Sequence, residues 1–357
     1  MNGKSGLLRT VVTILAAALL ANGCSAGGGP VQSPLGTGAP LAASSRGASL
    51  AVRPPVLLQR DSRKSWISPD AKRAPRLLFA SDPGTDDVDI FTLPDLSLKG
   101  TITGFSEPQG ECSNNNGYVW VANTGTYQLL EYSRTGLLLN TINDAYGYPV
   151  SCAVNPTNND VAVFNIFNFS GEGGSYVYSC PSCTPTVLTI PGFYYYSFGG
   201  YDPSGDLFVS GRNASGDFAL GEVPNGNTSG YIINISGGTI YFPGFTQWYK
   251  PGNYIVSADQ LCGDAESSCV YWIKISGTNG TIIGQTDLEN PQGGAICDLA
   301  QGALNPVGEK NLVGGDYDYC GTESSSENRW LYPAGGLPTN SVEDGLVEPI
   351  GAAISVK

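Results

Sequence analysis

The chain has 357 residues, 41% of them hydrophobic, with 18 Lys and Arg against 31 Asp and Glu, a net charge of −13 and no histidine. The acidic balance disfavours nucleic acid and anionic lipid as partners of the folded part. The missing imidazole excludes Ser-His-Asp and Cys-His nucleophile systems and every His-ligated zinc, copper or haem centre.

Lys4 and Arg9 lead into an apolar run that ends at Ala21 and is followed by Asn22-Gly23-Cys24. A charged start, a short apolar stretch and small residues predict a secretory signal peptide over 1–23, too short for a comfortable transmembrane helix. Cys24 after Gly23 resembles the cleavage site of bacterial lipoproteins, which implies lipidation of Cys24. By the same resemblance Ser25 implies the outer membrane. Ala21 stands where that pattern usually has Leu, so a secreted or periplasmic chain is the alternative. Residues 24–74, rich in Gly, Ala, Ser and Pro, read as a flexible tether. Trp66 is its exception, because a Trp in a tether usually docks.

From residue 75 onward a phrase returns. Thr101-Ile-Thr-Gly-Phe-Ser-Glu-Pro-Gln-Gly110 is echoed at Thr141, Thr189, Thr239, Leu288 and Leu346. With Pro108, Pro149, Tyr196, Gln247, Pro291 and Pro349 as anchors, the steps are 41, 47, 51, 44 and 58 residues. Such a period predicts a repeat architecture. Each copy holds short runs rich in β-branched and aromatic residues, such as Tyr118-Val-Trp-Val-Ala-Asn123 and Gln128-Leu-Leu-Glu-Tyr132, separated by Gly, Asn and Asp turns. No apolar stripe at helical spacing follows residue 30. The expectation is an all-β, six-bladed β-propeller of four-stranded antiparallel blades over 75–357, with seven blades as the alternative. Arg76 opens what reads as a second strand, and Glu348–Val356 reads as a first strand, so the C-terminal strand would close the ring.

The stretch from Pro108-Gln-Gly110 through Trp120-Val-Ala-Asn-Thr-Gly125 resembles the NHL-type repeat and the six-bladed propellers around it. A looser copy runs from Tyr201-Asp-Pro203 through Phe208-Val-Ser-Gly211. The resemblance covers most of 75–357 and implies the fold, while leaving function open. The one enzymatic class compatible with a chain lacking histidine is the calcium-dependent lactonase of the gluconolactonase type. Glu289-Asn-Pro-Gln-Gly293 resembles the segment that supplies a calcium ligand there, with Glu107 and Glu348 as variants. Because Glu-(x)-Pro recurs in three copies, shaping the chain into an inner strand is the favoured role. Asp82, Asp86, Asp87 and Asp89 form an acidic loop that could hold Ca2+, although its position favours a hairpin turn.

Eight cysteines, Cys112, Cys152, Cys180, Cys183, Cys262, Cys269, Cys297 and Cys320, predict disulfides in an exported chain. The repeat places Cys112 and Cys152 on neighbouring inner strands, and Cys262 and Cys269 on one hairpin. Cys180 and Cys183 could close a local ring, leaving Cys297 for Cys320. Within the aromatic run Phe193–Phe198 and near Phe245, the residues Tyr194, Tyr196, Trp248 and Tyr249 are candidate ligand contacts, though strand alternation puts at least half of such residues between blades. The reading that results is an exported, lipid-anchored, monomeric binding or scaffolding module of the bacterial envelope. It would act without covalent chemistry and take an envelope protein, a peptide or a carbohydrate. It would use no cofactor, Ca2+ aside, and touch membrane only through its anchor. A Ca2+-dependent lactonase or other hydrolase is the alternative.

Overall fold

The computed structural model describes residues 64–357 except 181–182, 265–266, 306–309 and 318–324. The signal segment, Cys24, most of the tether and Cys320 therefore lie outside the described residues. The chain runs as antiparallel meanders, with helical structure among the described residues confined to short 3-10 turns. After β1 (Trp66–Ile67) come β2 (Arg76–Asp82), β3 (Asp87–Thr92) and β4 (Leu98–Thr103). The second meander is β5 (Pro108–Ser113), β6 (Val119–Asn123), β7 (Gln128–Tyr132) and β8 (Leu138–Asn143). The third is β9 (Gly147–Val154), β10 (Val161–Asn168), β11 (Gly174–Ser179) and β12 (Thr184–Leu188). The fourth is β13 (Phe193–Tyr201), β14 (Leu207–Asn213), β15 (Phe218–Val223) and β16 (Tyr231–Ser236). The fifth is β17 (Pro243–Tyr249), β18 (Tyr254–Asp259), β19 (Cys269–Ser276) and β20 (Asn279–Asp287). The sixth is β21 (Gly302–Leu304), β22 (Asn311–Asp316), β23 (Ser326–Leu331) and β24 (Asn340–Val342).

The last strand, β25 (Ala353–Val356), pairs antiparallel with β2 from Arg76↔Val356 to Phe79↔Ala353. It gives the first meander its inner strand, as the ends of the sequence predict. The inner strands then contact one another in a closed circle: β25 with β5, β5 with β9, β9 with β13, β13 with β17, β17 with β21, and β21 with β25. Alternation along each second strand distributes the core between neighbours. Leu77 and Phe79 face the second meander, whereas Leu78 and Ala80 pack with Val313 of the sixth. Where inner strands touch most closely, glycine stands. A Cβ added to Gly110 would sit 2.6 Å from the Val150 carbonyl oxygen, and one on Gly200 would sit 2.7 Å from that of Thr246.

Two departures from the sequence reading have physical causes. Trp66 and Ile67, placed in the tether above, add a strand to the outer edge of β4, with Trp66 opposite Thr101. Ile67 packs on the core that holds Ile102 and lies over Gly136, and this apolar contact draws the segment in. The Pro291 anchor is also displaced, because the inner strand of its meander starts at Gly302. The Leu288–Gly294 phrase instead forms a turn in which Asn290 Oδ1 accepts the N–H groups of Gln292 and Gly294. Pairing of β16 with β20 in parallel, from Asn234↔Asn279 to Ser236↔Thr281, merges the fourth and fifth meanders into one sheet.

Disulfides join Cys112 to Cys152, Cys180 to Cys183 and Cys262 to Cys269. The first links inner strands β5 and β9. Cys297 is also disulfide-bonded and lies in the crossover before β21 rather than on an inner strand.

One side chain ties the circle across its centre. Gln301, just before β21, donates from Nε2 to the Glu111 carbonyl (2.7 Å) and accepts from the Glu111 N–H (2.5 Å) and the Ala352 N–H (3.2 Å). It also reaches Ser151 Oγ at 3.4 Å. Gln301→Ala would leave buried backbone groups of two other meanders unpaired, and should lower unfolding free energy by about 3 kcal/mol in a denaturant titration. An unchanged midpoint would show that water replaces the amide.

Candidate binding face

The second and third strands of each meander end at a final paired residue on the second strand. In chain order these are Asp82, Asn123, Asn165, Arg212, Asp259 and Asp316. Five of the six grip the crossover that leads into their own meander's inner strand. Asp82 accepts the N–H groups of Val347 (2.7 Å) and Glu348 (2.9 Å), and Asn123 Oδ1 accepts that of Ser106 (2.7 Å). Asn165 donates to Asp144 at 2.8 Å. Asp259 accepts from Tyr241 (3.0 Å) and Phe242 (2.9 Å), and Asp316 accepts from Cys297 (3.0 Å). Burial raises the carboxyl pKa of Asp82, Asp144 and Asp259, while the bonds they accept pull the other way. In the fourth meander the crossover is held differently, with the Ile190 N–H donating to the Tyr196 hydroxyl at 3.1 Å.

These crossovers and hairpins surround the starts of the inner strands, the mouth of the circle, and aromatic residues gather there. Tyr127, Tyr148 and Phe169 meet edge-on, with centroids 5.0, 5.2 and 5.8 Å apart. Tyr146 stacks on Tyr176 at 4.2 Å. Tyr195 meets Phe167 at 5.0 Å and Tyr194 at 4.7 Å, both edge-on. The Arg212 guanidinium lies 4.1 Å from the centre of the Phe242 ring. Tyr146, Phe169 and Tyr241 are exposed, and Tyr127, Tyr148, Tyr194, Tyr195 and Phe242 are half-buried. Burial, with Tyr127 adding to it, pushes the Tyr148 hydroxyl up to about 12, so it is a neutral hydrogen-bonding group at physiological pH. Beside Arg212 a groove of about 540 Å³ opens between Asn213, Asp217, Ile232, Asn234 and Tyr241.

Away from the mouth, Glu111 and Glu327 are fully buried carboxyls whose oxygens have no hydrogen-bond partner of normal geometry. The Ala353 N–H faces the Glu111 carboxyl without closing such a bond. Desolvation drives both pKa values well above the ordinary range, and the Glu111 charge drives that of Glu327 further.

The residues singled out from sequence fall in several places. Asp82 serves the crossover grip, Asp86 Oδ1 accepts the Glu107 N–H at 2.8 Å, and Asp89 accepts from Thr101 at 2.6 Å. Asp87 is buried at the start of β3. Glu107 and Glu348 precede the inner strands β5 and β25, consistent with a shaping role, whereas Glu289 receives the Trp330 indole N–H on its backbone carbonyl. Among the described residues no group of three or more His, Cys, Asp or Glu side chains is placed to hold a metal ion. Of the aromatic candidates, only Tyr194 opens on the mouth. Tyr196 and Tyr249 are buried in cores between meanders, and Trp248 stacks on Phe208 at 5.6 Å. Trp248 and Tyr249 also sit at the far end of their inner strand, where the pleat turns them into the core. Tyr127, Tyr148, Phe169 and Arg212 were not anticipated, because each lies on a hairpin or strand end that reads as turn chemistry.

No known protein family matches the sequence, and no curated protein does. Among solved structures the chain is similar to one in the crystal structure of a nidogen/laminin complex, with TM-score 0.58 and 12% identity over 79% of this chain and 98% of that one. TolB from Acinetobacter baumannii matches with TM-score 0.57 and 12% identity over 79% of this chain and 67% of that one. A protein of unknown function from Bacteroides caccae matches with TM-score 0.55 and 14% identity over 80% and 100%. At such identities the likeness is one of fold. The chain is a β-propeller protein.

The buried acids make its stability depend on pH. A carboxyl whose folded pKa lies above its unfolded value, about 4.3 for Glu, leaves stability undiminished below that value, and stability falls as pH rises through the folded pKa. Thermal midpoints should therefore decline from pH 5 to pH 9. Glu327→Gln should raise the midpoint at pH 8 and flatten the slope, and an equal slope in the variant would assign it to other groups.

Proposed function

We propose that this chain is an exported six-bladed propeller, each meander one NHL-like blade, held at the bacterial outer membrane by lipid on Cys24, that binds a ligand across its mouth. The observation that carries this reading is the aromatic arc from Tyr127 through Tyr148 and Phe169 to Tyr195 and Arg212. It is partly open to solvent and spans crossovers and hairpins of neighbouring blades. Ring faces left open in this way stack on the apolar faces of ligand rings. Disulfides in the folded part agree with an extracytoplasmic location.

The test is a ligand array of oligosaccharides and peptides probed with the full chain, run alongside a lactone hydrolysis panel with and without calcium. Retention on the array should fall at least tenfold with Phe169→Ala and Tyr148→Ala at unchanged melting temperature, and no lactone should turn over. Calcium-dependent lactone turnover would replace the binding reading with the hydrolase. Cell fractionation checks the anchor: Cys24→Ala should move the chain from the membrane fraction to the soluble one, and an unchanged distribution would remove lipidation.

A further inference from the structure

Arg212 breaks a rule that the other five meanders keep. At its register position they carry Asp82, Asn123, Asn165, Asp259 and Asp316, all bonded into a crossover. In the fourth meander the Tyr196 hydroxyl takes over that duty, so Arg212 is not needed for it. Its Nε is buried without an acceptor, and no hydrogen bond or ion pair to its guanidinium forms among the described residues. Asp217 is near enough to favour the charged guanidinium, yet its backbone N–H and carboxylate are engaged by Asn213 at 3.0 and 3.5 Å. A half-buried cation without a hydrogen-bonded counter-charge costs free energy. In residues 75–357 there are 29 acidic side chains against nine basic ones, so this vacancy is not a shortage of carboxylates.

The surroundings indicate what fills it. The guanidinium lies over the Phe242 ring, and such a fork donates two parallel hydrogen bonds to a carboxylate. Tyr195 stands beside it, close enough to feel its charge, with the Tyr194 ring against Tyr195. On the other side the 540 Å³ groove begins at Asn213 and Tyr241, the chain neighbours of Arg212 and Phe242. Amide and carboxylate groups of Asn213, Asn234 and Asp217 on that groove suit hydroxyl groups, and the rings suit the C–H faces of sugars. The acidic surface as a whole repels polyanions, which leaves a ligand carrying isolated carboxylates.

We propose that Arg212 reads the carboxylate of a uronic acid, so that the mouth of this propeller is a site for acidic oligosaccharides. This rests on the binding reading above and names its ligand class.

Calorimetric titration of the full chain with oligosaccharides carrying a single galacturonate, glucuronate or mannuronate residue among neutral sugars tests it, beside their methyl esters and neutral oligomers of the same linkage. At least one acidic oligomer should bind, and its methyl ester should bind at least tenfold more weakly. Arg212→Met should lose that same preference with its melting temperature unchanged or raised, and Arg212→Lys should restore only part of it. The ester comparison requires no variant, so a folding failure of Arg212→Met would not blunt the test. The proposal is overturned if no acidic oligomer binds, if acid and ester bind alike, or if Arg212→Met keeps the preference. It is likewise overturned if Arg212 serves only peptide carboxylates. Binding of neutral oligomers or peptides that Phe169→Ala abolishes would in those cases leave the binding-module reading standing.

Discussion

The arrangement depends on how each crossover between meanders is held. A crossover leaves the outer strand of one sheet and dives to the inner strand of the next, so its backbone N–H groups pair with neither sheet while lying close to buried surface. An unpaired buried donor costs about 1–3 kcal/mol, enough to fray an inner strand. The solution recurs: an Asp or Asn at the end of the second strand engages the crossover. Asp82 takes two such N–H groups, and Asp259 takes those of Tyr241 and Phe242 and also that of Leu261. The acceptors are themselves buried, and the donors they engage favour the ionised form that burial opposes.

With crossovers held, the inner strands approach closely enough for a single side chain to bridge several. Gln301 bonds the second meander at Glu111, the first at Ala352 and the third at Ser151, which only a narrow centre permits. Glycines at the closest contacts follow from the same narrowness, since a methyl group at Gly110 would meet the Val150 carbonyl. Packing this tight also traps Glu111 away from water, and its high pKa follows from that exclusion.

The meanders were legible in the sequence because their signals are local. Alternating apolar residues, Gly and Asn turns and a returning phrase place β6, β7 and β9, and the unmatched ends at Arg76 and Val356 reveal the closing pair β2 and β25. The candidate face was not legible, because its contacts are made with partners far away in the chain. Asn123 stands at the end of Val-Trp-Val-Ala-Asn, where the repeat is plainest, yet its partner Ser106 is known only once the crossover is folded. The looser copy Phe208-Val-Ser-Gly211 stops one residue short of Arg212, the position that departs from the pattern. Local likeness also misled at Pro291, where an Asn290 turn imitates the phrase without starting a strand.

A repeated scaffold separates structural from functional residues by the exceptions it tolerates. Asp82, Asn123, Asn165, Asp259 and Asp316 are alike because each solves the same crossover problem. Arg212 occupies the equivalent position and solves nothing there, since Tyr196 has assumed the task from the inner strand. A guanidinium with no hydrogen-bond acceptor among the described residues, laid on Phe242 and flanked by Tyr195, is destabilising by itself. That asymmetry sets the fourth meander apart, rather than the acidic loop of the first, as the place where the repeat's own logic does not account for a side chain.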